Sequence, residues 1–163
     1  KMSQISMKRA AADFLALPRI AVTGVSRSSN DHSANAIYTR LRDRGHQVFA
    51  VNPNADEVEG DPAFDELASI PGGVDAVVIA TRPERAEAIM RECIELGIDQ
   101  VWMHHGPSAT SVSAPAVALG RAHHVRVLDG GCPLMFSPAS DAGHRLLRVA
   151  LTAVRRVPRS VAP

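Results

Sequence analysis

With 163 residues, the chain is long enough for one domain with a buried core and short for two. Its 18 basic and 17 acidic residues nearly cancel, which excludes a strong global attraction to nucleic acid or to a membrane surface. Two cysteines exclude a disulfide framework, and the lack of a signal peptide or of an apolar run near roughly 20 residues predicts a soluble, cytoplasmic protein.

Short apolar runs rich in β-branched residues alternate with segments of helical spacing. Five runs predict strands, at residues 20–22, 48–51, 76–80, 101–103 and 125–128. Most of these runs are unbroken, which is typical of strands covered on both faces. Three helices are predicted between strands, ending at Gly45, Gly97 and Gly120, and two more at the termini, over residues 3–15 and about 140–155.

This alternation is the signature of βαβ units. We therefore predict a single Rossmann-like domain over residues 1–163, with its core at about residues 17–136. Its doubly wound, five-stranded parallel sheet would lie in a three-layer αβα arrangement with strand order 3-2-1-4-5. Residues 52–74 predict an irregular connection with one helical turn, and the basic tail from Arg155 onward predicts a frayed, solvated end.

Ligands of an open parallel sheet bind beyond the carboxyl ends of its strands. The loops expected at that edge are rich in Gly, Pro, Ser, Thr, Asn or His, and they comprise residues 23–33, 52–54, 81–83, 104–108 and 129–133. Small or hydrogen-bonding residues there let a ligand approach backbone N–H groups. The five loops together therefore predict a binding cleft.

The first loop combines a glycine with hydroxyls and a cation. Gly24 directly follows a strand and allows a tight turn and a close backbone approach. Arg27 can pair with phosphate, and hydroxyls are offered by Ser26, Ser28 and Ser29. The loop is neither a GxGxxG motif nor a P-loop, and a plain βα turn would explain it as well.

The second and third loops leave similar alternatives open. Asn52 stands where NAD-binding proteins carry a ribose-binding acid, which argues against a standard dinucleotide site, although an amide can still bond a hydroxyl. Pro53 restricts the turn in either case. Arg82 either pairs with phosphate or is solvated, and Pro83 suits the start of a helix for structural reasons alone.

His104, His105, Asp129 and Cys132 leave adjacent strand ends and could converge. The favoured interpretation is that they hydrogen-bond the backbone or a ligand. A metal site, or a nucleophilic or redox-active Cys132, remains an alternative, although no CxxC or HExxH spacing is present. We assign no catalytic residue and no metal ligand. His123 and His124 are predicted to lie at the surface, and Cys93 is predicted to be buried on a helix.

Four phrases of the chain, at residues 20–27, 45–53, 70–77 and 129–133, resemble the small CoA-binding domain proteins. Their sheet is similar to the CoA-binding domain in the alpha subunit of succinyl-CoA synthetase. The resemblance covers about residues 17–136. The chain departs from the usual pattern at His104-His105-Gly106-Pro107, where relatives present Gln-Leu-Gly-Val, and at Gly130-Gly131, where they often carry one Arg before the Cys-Pro pair.

The resemblance implies that coenzyme A, or an acyl-CoA, binds at the carboxyl ends of the strands. The cofactor-binding residues it suggests are Gly24, Val25, Ser26, Arg27, Ser28, Asn52, Pro53, Thr81, Arg82, Pro83, His105, Gly106 and Cys132. The first loop would surround phosphate, Asn52 and Pro53 would flank the nucleotide, and residues 81–83 would close over it.

The function expected from this resemblance is that of a non-catalytic binding or regulatory module. The related ligases use a phosphohistidine in a second domain that is missing here, so we expect no ligase activity from this chain alone. Two alternatives stay open: an NAD(P)- or other nucleotide-binding enzyme, and a subunit that completes an acyl-CoA ligase with a partner chain. A homodimer through the terminal helices is also open.

Overall fold

The computed structural model describes residues 4–28, 33–107, 109–136 and 141–162. The strands within these segments are β1 Ile5–Ser6, β2 Arg19–Thr23, β3 Gln47–Val51, β4 Glu57–Val58, β5 Asp61–Phe64, β6 Ala76–Ile79, β7 Gln100–Met103, β8 Arg126–Asp129 and β9 Ser160–Val161. The α-helices are α1 Met7–Leu15, α2 Ser33–Asp43, α3 Pro83–Glu95, α4 Ala114–Ala122 and α5 Ala142–Ala153. Short 3₁₀ helices cover Leu67–Ser69 and Pro133–Met135.

The predicted three-layer α/β architecture is confirmed. A mostly parallel sheet with the order β4-β5-β3-β2-β6-β7-β8 forms the middle layer. One face packs against α1, α2 and α5 through a core that includes Phe14, Ile37 and Trp102. The other face packs against α3 and α4 through a core that includes Met90 and Val101. None of the helices in the described segments is long and apolar enough to cross a membrane.

The strand count and the strand order differ from the prediction. The sheet has seven strands, and the third predicted strand, β6, pairs with β2 rather than with β3. The edge position beyond β3 is taken by β5, which pairs with it in parallel from Ala50 opposite Ala63 to Val51 opposite Phe64. The sequence Asp-Pro-Ala-Phe of β5 is short, half-exposed and contains proline, so it lacks the apolar run that identified the other strands.

The predicted helix ends are confirmed at two of three glycines. Gly45 and Gly97 follow α2 and α3 with φ of 93° and 72°, the left-handed conformation that favours glycine after a helix. Gly120 lies inside α4 instead, where a Cβ atom would be 2.8 Å from the sulfur of Met90. The missing side chain of Gly120 allows α4 to pack closely on α3. The helix continues two residues further, to Ala122.

The basic tail is packed rather than frayed. Strand β9 pairs antiparallel with β1, and the Met7 N–H donates to the Arg159 carbonyl at 2.9 Å. Val157 and Val161 are buried at 3% and 0% exposure. The prediction of a frayed end was wrong. The burial of Val157 and Val161 and the pairing of β9 with β1 outweigh the solvation of the arginines in the tail.

We predict that Val161→Ala lowers the free energy of unfolding by about 2 kcal/mol, because it leaves a cavity beneath the β1–β9 pair. Urea unfolding followed by circular dichroism measures this. The matched control is Val154→Ala, at a valine that is 63% exposed, where we expect a change within about 0.5 kcal/mol. Equal effects of the two substitutions would show that the tail does not contribute to the fold.

Candidate functional site

The sheet changes direction between β2 and β6. From β2 the chain crosses through α2 to β3 on one side, whereas β6 leads through α3 to β7 on the other. Gly24, which follows β2, has a φ of 81°, and a Cβ atom there would lie only 2.6 Å from the Ala80 carbonyl oxygen. The loops after β2 and β6 therefore touch at a point where only glycine fits.

A cleft of about 410 Å³ opens beside this contact. Five of the predicted cofactor-binding residues line it: Gly24, Ser26, Asn52, Pro53 and Thr81. The remaining lining residues are Thr23, Val51, Asn54, Asp65, Glu66, Arg85, Ala88, Ile89 and Glu92. We call this space the switch-point cleft, since it lies at the carboxyl ends of β2, β3 and β6.

The first loop is anchored to α2 by a buried amide. Asn35, which is 2% exposed, accepts from the Ser26 N–H and donates to the Ser26 carbonyl, both at 2.8 Å. The same Nδ2 group donates to Glu59 Oε1 at 2.8 Å. Ser26 Oγ in turn accepts from the Ser28 N–H at 3.2 Å. Ser26 thus lines the cleft, while its main-chain N–H and carbonyl are already hydrogen-bonded to α2. Sequence reasoning missed Asn35, whose signal was a polar residue among the apolar positions of a helix.

A second amide joins two loops to each other. Asn52 donates through Nδ2 to the Val25 carbonyl at 2.9 Å, and its Oδ1 accepts from the Asn54 N–H at 2.8 Å. Val25 itself is fully buried in the core. The side chain expected to flank the nucleotide is therefore already used to hold the first loop against the second.

Two threonines of the cleft differ in how their hydroxyls are satisfied. Thr23 Oγ1 donates to the Val78 carbonyl at 3.4 Å and accepts from the Ala80 N–H at 3.2 Å. Thr81 Oγ1 is buried without a hydrogen-bond partner. Because an unsatisfied buried hydroxyl costs roughly 1–3 kcal/mol, Thr81 is the polar side chain of this cleft with hydrogen bonds still to make.

The other predicted residues of these loops lie outside the cleft lining. Arg27, Ser28 and Arg82 are exposed. Arg82 is the N-cap residue of α3, and Pro83 occupies the first turn, which is its structural role. Ser29 lies outside the described residues.

Sequence reasoning missed six residues of the cleft. Asp65 and Glu66 follow β5, the strand that was not recognised. The others lie on α3, namely Arg85, Ala88, Ile89 and Glu92. The carboxylate of Glu92 accepts from the Ala68 N–H at 3.1 Å and so connects α3 to the 3₁₀ turn after β5.

A second, smaller cavity of about 110 Å³ lies near the ends of β7 and β8. Its lining residues are Ser33, Ala36, His104, Gly106, Pro107, Cys132, Leu134, Met135, His144 and Leu147. His105 is not among them, and its N–H donates to the Gly131 carbonyl at 2.9 Å. Asp129 instead pairs with Arg121 at 3.1 Å. Of the four residues expected to converge, His104 and Cys132 therefore line this cavity, whereas His105 and Asp129 do not.

Burial disfavours the charged forms of His104 and Cys132 in this cavity. Burial, with a smaller effect of His105, lowers the pKa of His104 to about 4. Burial raises the pKa of the Cys132 thiol to about 12. This is the opposite of the thiolate beside an imidazolium that a nucleophilic cysteine requires. In the segments that the structure describes, no three His, Cys, Asp or Glu side chains cluster to hold a metal ion.

A doubly wound sheet with a cleft at its switch point defines an α/β domain of the Rossmann-like class. The chain belongs to the CoA binding domain family, whose sequence profile matches residues 18–138. The resemblance seen in the sequence is thereby confirmed.

Known proteins agree with this membership. The chain is 31% identical over 88 residues to the uncharacterized protein YneT of Bacillus subtilis, covering 54% of this chain and 64% of that one. It is 24% identical over 116 residues to acetate–CoA ligase (ADP-forming) II of Archaeoglobus fulgidus, covering 66% of this chain but only 17% of the ligase. It thus spans less than two thirds of either relative.

The fold is also found among solved structures. A hypothetical protein from Pyrococcus horikoshii superimposes with a TM-score of 0.73 at 20% identity, over 86% of this chain and 91% of that one. At this identity the likeness shows the fold alone.

We predict that Gly24→Ala destabilises the protein more than Gly60→Ala. Both glycines have nearly the same φ, 81° and 79°, so both substitutions carry a backbone cost of roughly 1–2 kcal/mol. Only at Gly24 would the new methyl group meet backbone, which adds roughly 1–3 kcal/mol of overpacking. Denaturant unfolding of the two variants measures the difference, and equal losses would contradict the close approach of the two loops.

We predict that His104 makes the protein less stable in acid. Its pKa is about 6.5 in the unfolded chain and about 4 in the fold, so the unfolded chain binds the proton first as the pH falls. The contribution is fully present above pH 6.5 and is lost towards pH 4. Between pH 7 and about pH 4.5, His104→Gln should reduce the loss of unfolding free energy by about 2 kcal/mol. The exposed His123→Gln should not, and identical pH profiles of all three proteins would refute the assignment.

Proposed function

We propose that the switch-point cleft binds coenzyme A, free or acylated, and that the protein acts as a binding or regulatory module. One observation carries the proposal: a chain of the CoA binding domain family has an open cleft of about 410 Å³ where its sheet changes direction. In this class of fold, that position receives a nucleotide cofactor.

The α3 side of the cleft carries a cation. Arg85 contributes a guanidinium to this wall, and a guanidinium can pair with phosphate. The exposed Arg27 and Arg82 lie on the loops that frame this side, where they would attract the phosphates of CoA. The phosphate groups therefore belong beside the first loop and the start of α3.

The lining also contains acidic side chains. Asp65 and Glu66, which follow β5, are exposed carboxylates. Carboxylates repel phosphate but accept hydrogen bonds from an amino group or a hydroxyl. They would therefore face the adenine amino group, which orients the nucleotide with its phosphates towards the arginines.

Thr81 provides a polar contact for the cofactor. Its hydroxyl lies in the wall without a partner, and rotation about its χ1 angle would direct it at a ligand. The bound cofactor would then satisfy a group that the fold by itself leaves unsatisfied. The neighbouring Thr23, whose hydroxyl is already bonded twice, has no such role.

A ligase subunit is the second candidate function. The observation in its favour is the similarity to part of an ADP-forming acetate–CoA ligase, of which the match covers 17%. An ATP-grasp-type partner chain would have to supply the phosphoryl chemistry. Stable co-purification with such a chain, together with acyl-CoA formation by the pair and not by either chain alone, would establish this candidate in place of a stand-alone module.

We predict that Thr81→Val weakens CoA binding about five- to tenfold while leaving stability unchanged or slightly raised, because it removes an unsatisfied hydroxyl from an isosteric side chain. Thr23→Val is the matched control in the same cleft, and it should lower stability with little effect on affinity. Isothermal titration calorimetry and urea unfolding of both variants measure the two effects.

The same titration separates the cofactors. Micromolar affinity for CoA with none for NAD, NADP or ATP supports the proposal. Tight NAD or NADP binding without CoA binding would overturn it in favour of the nucleotide-dependent enzyme. Equal loss of CoA affinity in the two threonine variants would show that the Thr81 hydroxyl is not a contact.

A further inference from the structure

The second cavity lies at the same edge of the sheet as the switch-point cleft but on the opposite face. Its walls come from α2, α5 and the loops after β7 and β8, whereas the cleft opens towards α3. The two spaces are separated by the first loop and the start of α2. We call the second space the α2–α5 cavity.

The α2–α5 cavity has mainly apolar walls and a buried polar side chain. Leu134, Met135 and Leu147 contribute apolar surface, and the neutral thiol of Cys132 adds a weakly polar one. His104 is only 4% exposed. Such a lining suits a short apolar group that carries one or two polar atoms.

The imidazole of His104 is available to a ligand. Within the described segments, the hydrogen bonds of His104 are made by its main chain: its N–H donates to Ile79 and its carbonyl accepts from Ser111. A Cβ atom on Gly106 would lie 3.0 Å from the ring's Cε1 and 3.2 Å from Nε2. Glycine at this position therefore gives the ring its space at the cavity wall.

His144 brings a second imidazole to the cavity. Its Nδ1–H donates to Asp141, with Nδ1 2.9 Å from Oδ2, and the same carboxylate pairs with Arg40 at 3.0 Å. These contacts orient the ring at the first turn of α5, where Asp141 is the N-cap residue. The cavity thus presents two imidazoles between apolar walls.

The start of α2 contributes to both spaces. Ser26 lines the switch-point cleft and is bonded twice to Asn35, while the next residue of α2, Ala36, lines the α2–α5 cavity. A ligand that places its phosphates at the first loop could therefore continue over the start of α2 into the cavity. Coenzyme A is such a ligand, because its pantetheine arm extends from the phosphates to the thiol.

We propose that the α2–α5 cavity receives the thiol end of CoA and a short acyl group, with His104 hydrogen-bonding the thioester carbonyl or the last pantetheine amide. This inference rests on the proposed function and specifies its ligand as a short-chain acyl-CoA. The cavity, at about 110 Å³, is much smaller than the switch-point cleft of about 410 Å³, which favours a small acyl group such as acetyl or propionyl over a long chain.

The test fills the cavity and measures each part of the ligand separately. Ala36→Leu adds bulk at an exposed position of the cavity lining, and Ala118→Leu adds the same bulk at an exposed position of α4 on the other side of the sheet. The calorimetric ligands are adenosine 3′,5′-bisphosphate, CoA, acetyl-CoA and palmitoyl-CoA. The bisphosphate probes the switch-point cleft alone.

We expect Ala36→Leu to weaken the binding of acetyl-CoA roughly tenfold or more and to leave the affinity for the bisphosphate unchanged. We expect Ala118→Leu to change neither affinity. Palmitoyl-CoA should bind the wild-type protein more weakly than acetyl-CoA. Unchanged acetyl-CoA affinity in Ala36→Leu, or palmitoyl-CoA binding as tight as acetyl-CoA, overturns the cavity assignment while the bisphosphate result keeps the proposed function. If neither the bisphosphate nor CoA binds, the proposed function fails and this inference fails with it.

Nuclear magnetic resonance of the histidine rings locates the acyl end without any substitution. Acetyl-CoA should shift the ring resonances of His104, and adenosine 3′,5′-bisphosphate should not, whereas the exposed His123 should respond to neither. A shift of His104 that is the same for both ligands would show that the ring senses only the nucleotide, which contradicts the proposal.

Discussion

The contact between Gly24 and Ala80 is the constraint on which the rest of the site depends. Strand β2 lies in the middle of the sheet, where Ile20 pairs with Val48 on one side and Ala76 on the other. The loops after β2 and β6 must therefore leave the sheet side by side, and the missing side chain of Gly24 lets them do so at backbone contact. This contact sets Thr81 beside the first loop and opens the cleft between β3 and α3.

Buried amides then fix the loops around that contact. Asn35 ties the first loop to α2, and Asn52 ties it to the second loop. Both amides are satisfied within the protein, so the loops are held before any ligand arrives, which lowers the ordering cost of binding. Two polar residues that resemble ligand contacts, Ser26 and Asn52, thus serve in large part to shape the cleft.

The two spaces on either side of the first loop differ in character. The switch-point cleft is open, and its lining combines apolar surface with one arginine and several carboxylates. The α2–α5 cavity is small, and burial keeps both its histidine at position 104 and its cysteine neutral. The proposed cofactor, with a charged nucleotide at one end and a small uncharged group at the other, would place one end in each space, and the buried cysteine is not the thiolate that a nucleophile requires.

Local patterns in the sequence were sufficient for the α/β class, for strands β2, β3, β6, β7 and β8, and for the helices between them, because hydrophobic periodicity and helix-ending glycines act within one element. The family resemblance came from short ordered phrases. The tertiary structure alone decided that β5 takes the edge beside β3, that the tail pairs with β1, and that Glu66 and Arg85 reach the cleft while Arg27 does not line it. It also decided that Thr81 has a free hydroxyl whereas Thr23 does not. These features depend on pairing and burial between residues distant in the chain, which no local pattern records.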